Sequence, residues 1–291
     1  MSAAGAGPVV VGVADGLLRM PVLDGAVTLA RRLGTGLRLV HGHDPGDRGD
    51  WQEDAGLRAE AYVRRTAPGL DVRRTCPEGE EPADALVDGA ADAAVLVLGD
   101  RKGRLGSDAG RTTDEVIARA PCPVLVHGED RGRVSESVRR VVVVGVDGSS
   151  HAAVVLRLGL EAAAMLGCSL DAIRVCEDVI PVEHRLVRHE VGPDALARAH
   201  RELDTLVDGL PTGSVPVSTR AVADRPARAL LEEGRGAELI VVGHGAHAGP
   251  GPERLGSTAR AVLAAATCPV LVVGPRAGGP GSVEGSTTAV R

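Results

Sequence analysis

The chain has 291 residues, a length typical of one large domain or of two domains of about 150 residues each. Its aromatic side chains are one Trp and one Tyr, which argues against a single-stranded nucleic-acid module that stacks bases on aromatic platforms. The formal net charge of -6 provides no global basic field, so we expect no nucleic-acid partner.

The sequence also lacks the usual marks of a membrane or exported protein. No apolar run reaches the roughly 18 residues that a membrane-spanning helix needs. The first residues have neither the charged start nor the long apolar segment of a signal peptide. The five cysteines are odd in number and lack CxxC spacing. We therefore predict reduced thiols in a cytoplasmic protein with no metal site.

Four sequence blocks occur twice in the same order, which indicates a tandem duplication. The displacement between copies is 133 residues for the first block, 144 for the next two and 146 for the last. The second copy therefore has about eleven extra residues after its first strand, and two more just after Gly243. The matched blocks are Val9–Val13 with Val142–Val146, Glu81–Leu86 with Arg225–Leu230, Val95–Gly99 with Leu239–Gly243, and Ala120–Val126 with Ala266–Val272.

Within each copy, short Val/Leu runs alternate with Ala/Arg/Glu-rich stretches of helical character. In the second copy the predicted strands are Val141–Val146, Leu170–Val175, Val215–Ala221, Leu239–Val242 and Val270–Val273, and the predicted helices are Ala152–Leu166, Pro193–Val207, Pro226–Gly234 and Ser257–Ala266. Aliphatic strands separated by helices predict a parallel sheet covered on both faces. The fold class is thus α/β, with two tandem doubly wound domains of five strands each.

We place the first domain at residues 1–130, a polar linker at 131–138, the second domain at 139–276 and a disordered tail from 277. The last strand of each copy is short, apolar and at a sheet edge in this topology. Unpaired edges promote aggregation, so we expect the two final strands to pair across a pseudo-two-fold axis. Dimerisation of the whole chain stays open.

In an open α/β sheet, ligands bind beyond the carboxyl ends of the strands, where the strand order reverses. Two segments of the second copy end there: residues 146–150 after its first strand, and the Gly-rich residues 242–258 before its last helix. Glycines allow backbone N–H groups to approach phosphate oxygens, and a helix N-terminus favours anions. Ser257 is predicted to cap that helix. A flexible surface loop before a capped helix explains the same residues equally well.

Four segments of the second copy carry a resemblance to a known family: the two just described, Asp224–Leu230 and Cys268–Val273. On these segments the chain resembles the universal stress protein family in a tandem two-domain form. The resemblance covers roughly residues 8–128 and 139–274. It implies a Rossmann-like fold of the adenine nucleotide alpha hydrolase type and a site for ATP, with or without Mg²⁺.

The family's ATP-binding pattern is Gly, two residues, Gly, nine residues, then Gly-Ser or Gly-Thr. The resemblance implies nucleotide contacts from Asp147, at the adenosine end, from Val175, beside the adenine, and from Gly243, His244, Gly245, Ala246, Gly256, Ser257 and Thr258 around the phosphates. One position departs from the pattern, because Ala246 stands where the middle glycine belongs and Gly245 precedes it by one residue. If that position requires a left-handed backbone, alanine costs about 1 kcal/mol or more.

The first copy departs further from the same pattern. Ala14 stands in place of the carboxylate, and Gly42 in place of Val175. Its loop over residues 99–111 is two residues shorter, and Arg111 replaces the serine. We therefore expect the first copy to be a degenerate, structural partner, whose basic loop is solvated or holds a loose anion.

The remaining histidines are weaker signals. His41, His43 and Asp44 lack a fourth ligand for a metal, and we interpret them as a polar edge. His244 and His247 flank the Gly-rich loop and are able to donate to a phosphate when protonated. We interpret His184, His189 and His200 as solvated residues of an inserted helical region.

Three kinds of function remain in competition. The first is a non-catalytic stress-response regulator that binds an adenine nucleotide in the second copy and acts through an unknown protein partner. The second is a nucleotide-independent interaction protein of the same fold, which Ala246 and the loop prolines favour. A weak ATP hydrolase comes last, because the chain lacks the Walker A lysine and only His244, His247 or Glu253 is placed to activate water.

Overall fold

The structure is a computed structural model. It describes residues 7–13, 20–41, 52–77, 81–99, 108–127, 139–182, 185–189, 191–245 and 255–277. The predicted linker at 131–138 lies outside the described residues, and so does the predicted tail from 277 apart from Ala277, which is buried.

The first repeat alternates strands and helices, as the Val/Leu runs predict. Its elements are β1 (Val9–Val13), α1 (Met20–Leu33), β2 (Leu37–His41), α2 (Gln52–Thr66), β3 (Val72–Thr75), α3 (Pro82–Gly89), β4 (Val95–Gly99), α4 (Asp108–Arg119) and β5 (Val124–His127). Proline opens α3, where its missing N–H and fixed φ are tolerated.

The second repeat has the same order with one addition. Its elements are β6 (Arg139–Val146), α5 (Ala152–Leu166), β7 (Ser169–Cys176), β8 (Asp178–Val182), β9 (Arg185–His189), α6 (Pro193–Asp208), β10 (Val217–Ala223), α7 (Pro226–Glu233), β11 (Ala237–Gly243), α8 (Ser257–Ala265) and β12 (Val270–Val273). Every strand and helix predicted for this copy is present, with bounds within a few residues.

The prediction for the inserted segment was wrong. The insertion contains β8 and β9, which pair antiparallel as a separate two-stranded sheet, and His189 ends β9 rather than lying on a helix. Only His200 of the three histidines lies on a described helix, α6, where it is exposed. His184 falls outside the described residues.

The other ten strands form a single sheet in the order β10-β7-β6-β11-β12-β5-β4-β1-β2-β3. All neighbours are parallel except β12 and β5. Each repeat contributes five strands with its first and fourth strands adjacent, so the strand order reverses between β1 and β4 and between β6 and β11. The α/β class and the doubly wound topology are therefore confirmed.

The two repeats join where β5 meets β12, as the edge argument predicts. Leu125 faces Leu271 at the centre, and Val124 pairs with Val272 as Val126 pairs with Val270. The sequence displacement of 146 residues makes Leu125 and Leu271 counterparts. The antiparallel ladder thus lies on the pseudo-two-fold axis and covers both edges.

Aliphatic side chains fill both faces of the sheet. The core on one face contains residues of α1, α2, α5 and α6, and the core on the other contains residues of α3, α4, α7 and α8. The glycine of the repeated Val-Gly-Val strand allows one of these contacts, because a Cβ at Gly145 would lie 2.8 Å from Leu230 Cδ1 on α7. Gly12 and Leu86 meet in the same way in the first repeat.

Two further observations concern the helices and the cysteines. Across the described ranges, no helix combines the length and the apolar character needed to cross a bilayer. All five cysteines carry free thiols.

Candidate functional site

A cleft of about 470 Å³ lies at the carboxyl ends of β6 and β11, where the strand order of the second repeat reverses. This is the position at which open α/β sheets bind ligands. Eight of the residues that the resemblance implies are described by the structure, and all eight line this cleft. They are Asp147, Val175, Gly243, His244, Gly245, Gly256, Ser257 and Thr258. Ala246, by contrast, lies outside the described residues, as do His247 and Glu253.

Asp147 follows β6 and forms one rim of the cleft. Its Oδ1 accepts hydrogen bonds from the backbone N–H (3.0 Å) and the hydroxyl of Ser149, which makes an Asx turn. Arg174 on β7 donates to the Asp147 carbonyl at 3.2 Å and steadies the turn from outside. Asp147 is exposed, so its carboxylate is held in a defined place yet open to a ligand.

The wall between β7 and α7 is apolar. Val175 is half-buried near the end of β7, in register with Val222 of β10. Ile173 and Leu230, both buried, also line the cleft. An apolar surface beside a hydrogen-bonding carboxylate suits a flat heterocycle whose edge carries polar groups.

The Gly-rich loop is closed at its base by a hydrogen bond. The Gly256 N–H donates to the His244 carbonyl at 2.7 Å, and the His244 N–H donates to the Val273 carbonyl at 3.0 Å. Gly245 has a φ of +99°, in the left-handed region that favours glycine. A Cβ at Gly245 would also lie 3.0 Å from the Cα of Gly256. The positive φ therefore falls on Gly245, one residue before the position that Ala246 occupies.

The start of α8 differs from the sequence prediction. Gly256 is the N-cap residue, with φ -61° and ψ 156°, and no side chain makes a cap hydrogen bond. Ser257 is the first helical residue, so the prediction that Ser257 caps the helix was wrong. Its hydroxyl and that of Thr258 lie at the helix N-terminus in the cleft wall. Helix N-termini favour anions through free N–H groups and the helix dipole.

His151 is a cleft residue that the sequence analysis missed. It lies at the start of α5, and its ring contacts that of His244 edge to face, with centroids 6.2 Å apart. Within the described residues, Nε2 of His151 and Nδ1 of His244 are buried without a hydrogen-bond partner. Burial lowers the pKa of His244, His151 lowers it further, and Asp147 acts in the opposite direction. The lowered pKa favours the uncharged form of the His244 ring, which lies against the ring of His151 in the cleft wall. The only sequence signal for His151 is its place four residues after Asp147.

Other sequence candidates lie elsewhere or outside the described residues. His41 is buried at the end of β2, and its Nδ1 donates to the Val13 carbonyl at 2.9 Å. His43, Asp44, Ala14, Gly42 and the loop at 100–107 are not described. Among the residues that are, no three His, Cys, Asp or Glu side chains converge as metal ligands.

Comparison with known proteins identifies the fold and the family. A model of the universal stress protein family matches residues 6–127 and again 139–274. Universal stress protein Rv2005c of Mycobacterium tuberculosis is 32% identical over 238 residues, which cover 77% of this chain and 78% of the relative. The protein is thus a tandem α/β protein with a cleft at the switch point of its second repeat. The chain belongs to the universal stress protein family.

Solved structures agree on the fold. A universal stress protein from Archaeoglobus fulgidus superposes with a TM-score of 0.62 at 18% identity, covering 91% of this chain and 96% of that one. A functionally unknown protein, PA1789 from Pseudomonas aeruginosa, superposes with a TM-score of 0.63 at 16% identity, covering 92% of both chains.

Proposed function

We propose that this universal stress protein binds an adenine nucleotide, ATP with or without Mg²⁺, in the cleft of the second repeat. The observation that carries the proposal is the convergence of eight predicted residues on one cleft at the switch point. These residues come from four separate stretches of the chain, after β6, near the end of β7, after β11 and at the start of α8. A volume of about 470 Å³ is within the range of small-molecule sites.

The cleft offers a different chemistry at each end. The Asp147 carboxylate accepts hydrogen bonds at the adenosine end, and Val175 lies beside the base. Gly245 and Gly256 bring the backbone close to the phosphates, while Ser257 and Thr258 add hydroxyls and N–H groups at the start of α8. This arrangement supports binding by backbone and hydroxyl donors rather than by a lysine.

The role that we propose is regulatory and non-catalytic. Binding would change the conformation or the protein partner of the chain in a stress response. Of the described residues that line the cleft, the titratable ones are Asp147, His151, His244 and Arg260. Asp147 is engaged in its Asx turn, and the lowered pKa of His244 disfavours the imidazolium that would stabilise negative charge on a transferred phosphoryl group.

Native mass spectrometry of freshly purified protein, followed by ATP titration, tests this function. We expect one retained or saturable nucleotide per chain, lost in Asp147→Ala. Ser149→Ala is the matched control, because it removes a hydroxyl from the same turn and keeps the carboxylate. Two nucleotides per chain would contradict the degenerate role of the first repeat.

A nucleotide-independent interaction protein is the second candidate, favoured by the bonds that already occupy Asp147 Oδ1. No binding at about 1 mM ATP, where even weak sites fill, would support it. A phosphate-release assay addresses the weak hydrolase. ATP turnover that Asp147→Ala abolishes would overturn the non-catalytic role.

A further inference from the structure

Arg260 belongs both to the cleft and to the junction between the repeats. It lies in the first turns of α8, with its N–H donating to the Gly256 carbonyl at 3.0 Å, and it lines the cleft. Its Nη2 donates to Oδ2 of Asp114, on α4 of the first repeat, at 2.9 Å. One side chain therefore connects the cleft of the second repeat with a carboxylate of the first.

Arg260 is also the one permanent cation among the described residues of the cleft wall. The other titratable side chains there are one carboxylate, Asp147, and the two histidines. Among the described residues of the cleft wall, Arg260 is the side chain that offers an anionic ligand a permanent positive charge. Asp114 neutralises that charge as long as the ion pair is intact.

The ion pair crosses the pseudo-two-fold axis between equivalent positions. Asp114 and Arg260 differ by the same 146 residues that separate Leu125 from Leu271. Two identical repeats would place like charges against each other here. Divergence of the copies has produced an attractive pair, which makes the first repeat a source of negative charge beside the cleft of the second.

We propose that Arg260 binds the phosphate chain of the nucleotide, and that Asp114 of the first repeat lowers the affinity for the nucleotide by competing for the Arg260 guanidinium. This inference rests on the proposed function. The Arg260 side chain is 54% exposed and that of Asp114 is 32% exposed, so the ion pair is weak. A triphosphate carries several negative charges and competes successfully for the guanidinium, which pairs well with phosphate oxygens. The first repeat, though degenerate at its own site, thereby sets the nucleotide preference of the second.

Calorimetric titration of the full chain with ATP and with adenosine tests the inference. Asp114→Asn should tighten ATP binding by roughly twofold to fivefold, the range that an exposed ion pair supplies. Arg260→Gln should weaken ATP binding by a similar factor. Neither substitution should change adenosine affinity, because adenosine has no phosphate. In the Arg260→Gln background, Asp114→Asn should have no further effect, and both effects should shrink at high salt.

The matched control is Asp92→Asn. This substitution also removes the charge of an ion-paired aspartate of the first repeat, because Asp92 Oδ1 lies 2.6 Å from Arg38 Nη1. Asp92 does not line the cleft. The substitution should leave both affinities unchanged.

The outcomes separate the two proposals. ATP binding that is unchanged or weakened in Asp114→Asn overturns the competition and leaves the proposed function intact. Equal changes for ATP and adenosine also overturn it, because they would indicate a structural effect on the cleft. A wild-type protein that binds neither ligand overturns both proposals.

Discussion

Arg32 of the first repeat donates a hydrogen bond from Nη1 to the carbonyl of Met165 in the second, at 2.8 Å. The two residues are counterparts, 133 positions apart, in the last turns of α1 and α5. The pair therefore joins the repeats across the pseudo-two-fold axis on one face of the sheet, while Asp114 and Arg260 join them on the other. The copies have diverged at both places, so that Arg32 bonds the main chain of Met165 and Arg260 pairs with the side chain of Asp114.

Removal of the Arg32 contact should weaken the junction. Arg32→Ala deletes a cation that bonds a carbonyl at the C-terminal end of α5, where positive charge is favourable. We expect the free energy of unfolding to fall by about 0.5–1.5 kcal/mol, measured by denaturant titration. Arg31→Ala is the control, because Arg31 is exposed beside it. Equal losses in both variants would contradict a specific role for the contact.

Gly245 should tolerate no side chain without loss of the site. Its φ of +99° opposes a side chain, and an added Cβ would lie only 3.0 Å from the Gly256 Cα; such strain costs on the order of 1–3 kcal/mol. Gly245→Ala should therefore weaken ATP binding about tenfold or more, measured by calorimetry.

The control for this effect is Gly213→Ala. Gly213 also has a positive φ, +59°, but it lies between α6 and β10, and its added Cβ would meet no atom within 4 Å. This variant should lose stability through backbone strain and keep its affinity for ATP. Unimpaired binding in Gly245→Ala would show that the loop base does not shape the site.

The pH dependence of stability should contain a contribution from His244. Its pKa is lowered in the folded protein by burial and by His151, so the unfolded state binds more protons as the pH falls below about 6.5. The free energy of unfolding should therefore decrease between about pH 7.5 and about pH 5.5, and the decrease should be smaller in His244→Gln. Asp92 and Glu233 also have lowered pKa values, but their contributions are lost only at more acidic pH, below about 4.5.

Two further variants identify the cause. His151→Ala should raise the pKa of His244 toward its usual value, which NMR titration measures. His200→Gln, at an exposed position on α6 that does not line the cleft, should leave the His244 titration as it is in the wild type. An unchanged His244 titration in His151→Ala would exclude coupling between the two rings.

The thiols should differ sharply in reactivity. Burial raises the pKa of the Cys122 thiol to about 12, whereas Cys76 is exposed. Because the thiolate is the reactive form, an alkylating reagent at about pH 8 should label Cys76 first and Cys122 only after unfolding. Mass spectrometry of digested peptides measures the order, with Cys76→Ser as the control. Early labelling of Cys122 in the folded protein would contradict its buried position.

The repeats and their Val/Leu runs were sufficient to predict the order of elements, because a buried parallel strand requires a continuous aliphatic segment. The β8–β9 hairpin was not predicted, since Asp178–His189 mixes charged residues and a proline with its apolar residues and has no clean alternation. The Ser257 prediction failed by one residue, because Gly and Ser both serve as N-caps and only the backbone dihedrals distinguish them.

The sequence by itself determined the family, the doubly wound fold and the segments that form the cleft, because these depend on local patterns repeated along the chain. Only the tertiary structure brought His151 against His244 and Arg260 against Asp114. Those contacts join residues that are 93 and 146 positions apart. Their side chains meet because of the order of the strands in the sheet and because the repeats pair at Leu125 and Leu271. No local sequence pattern specifies a contact between residues so far apart in the chain.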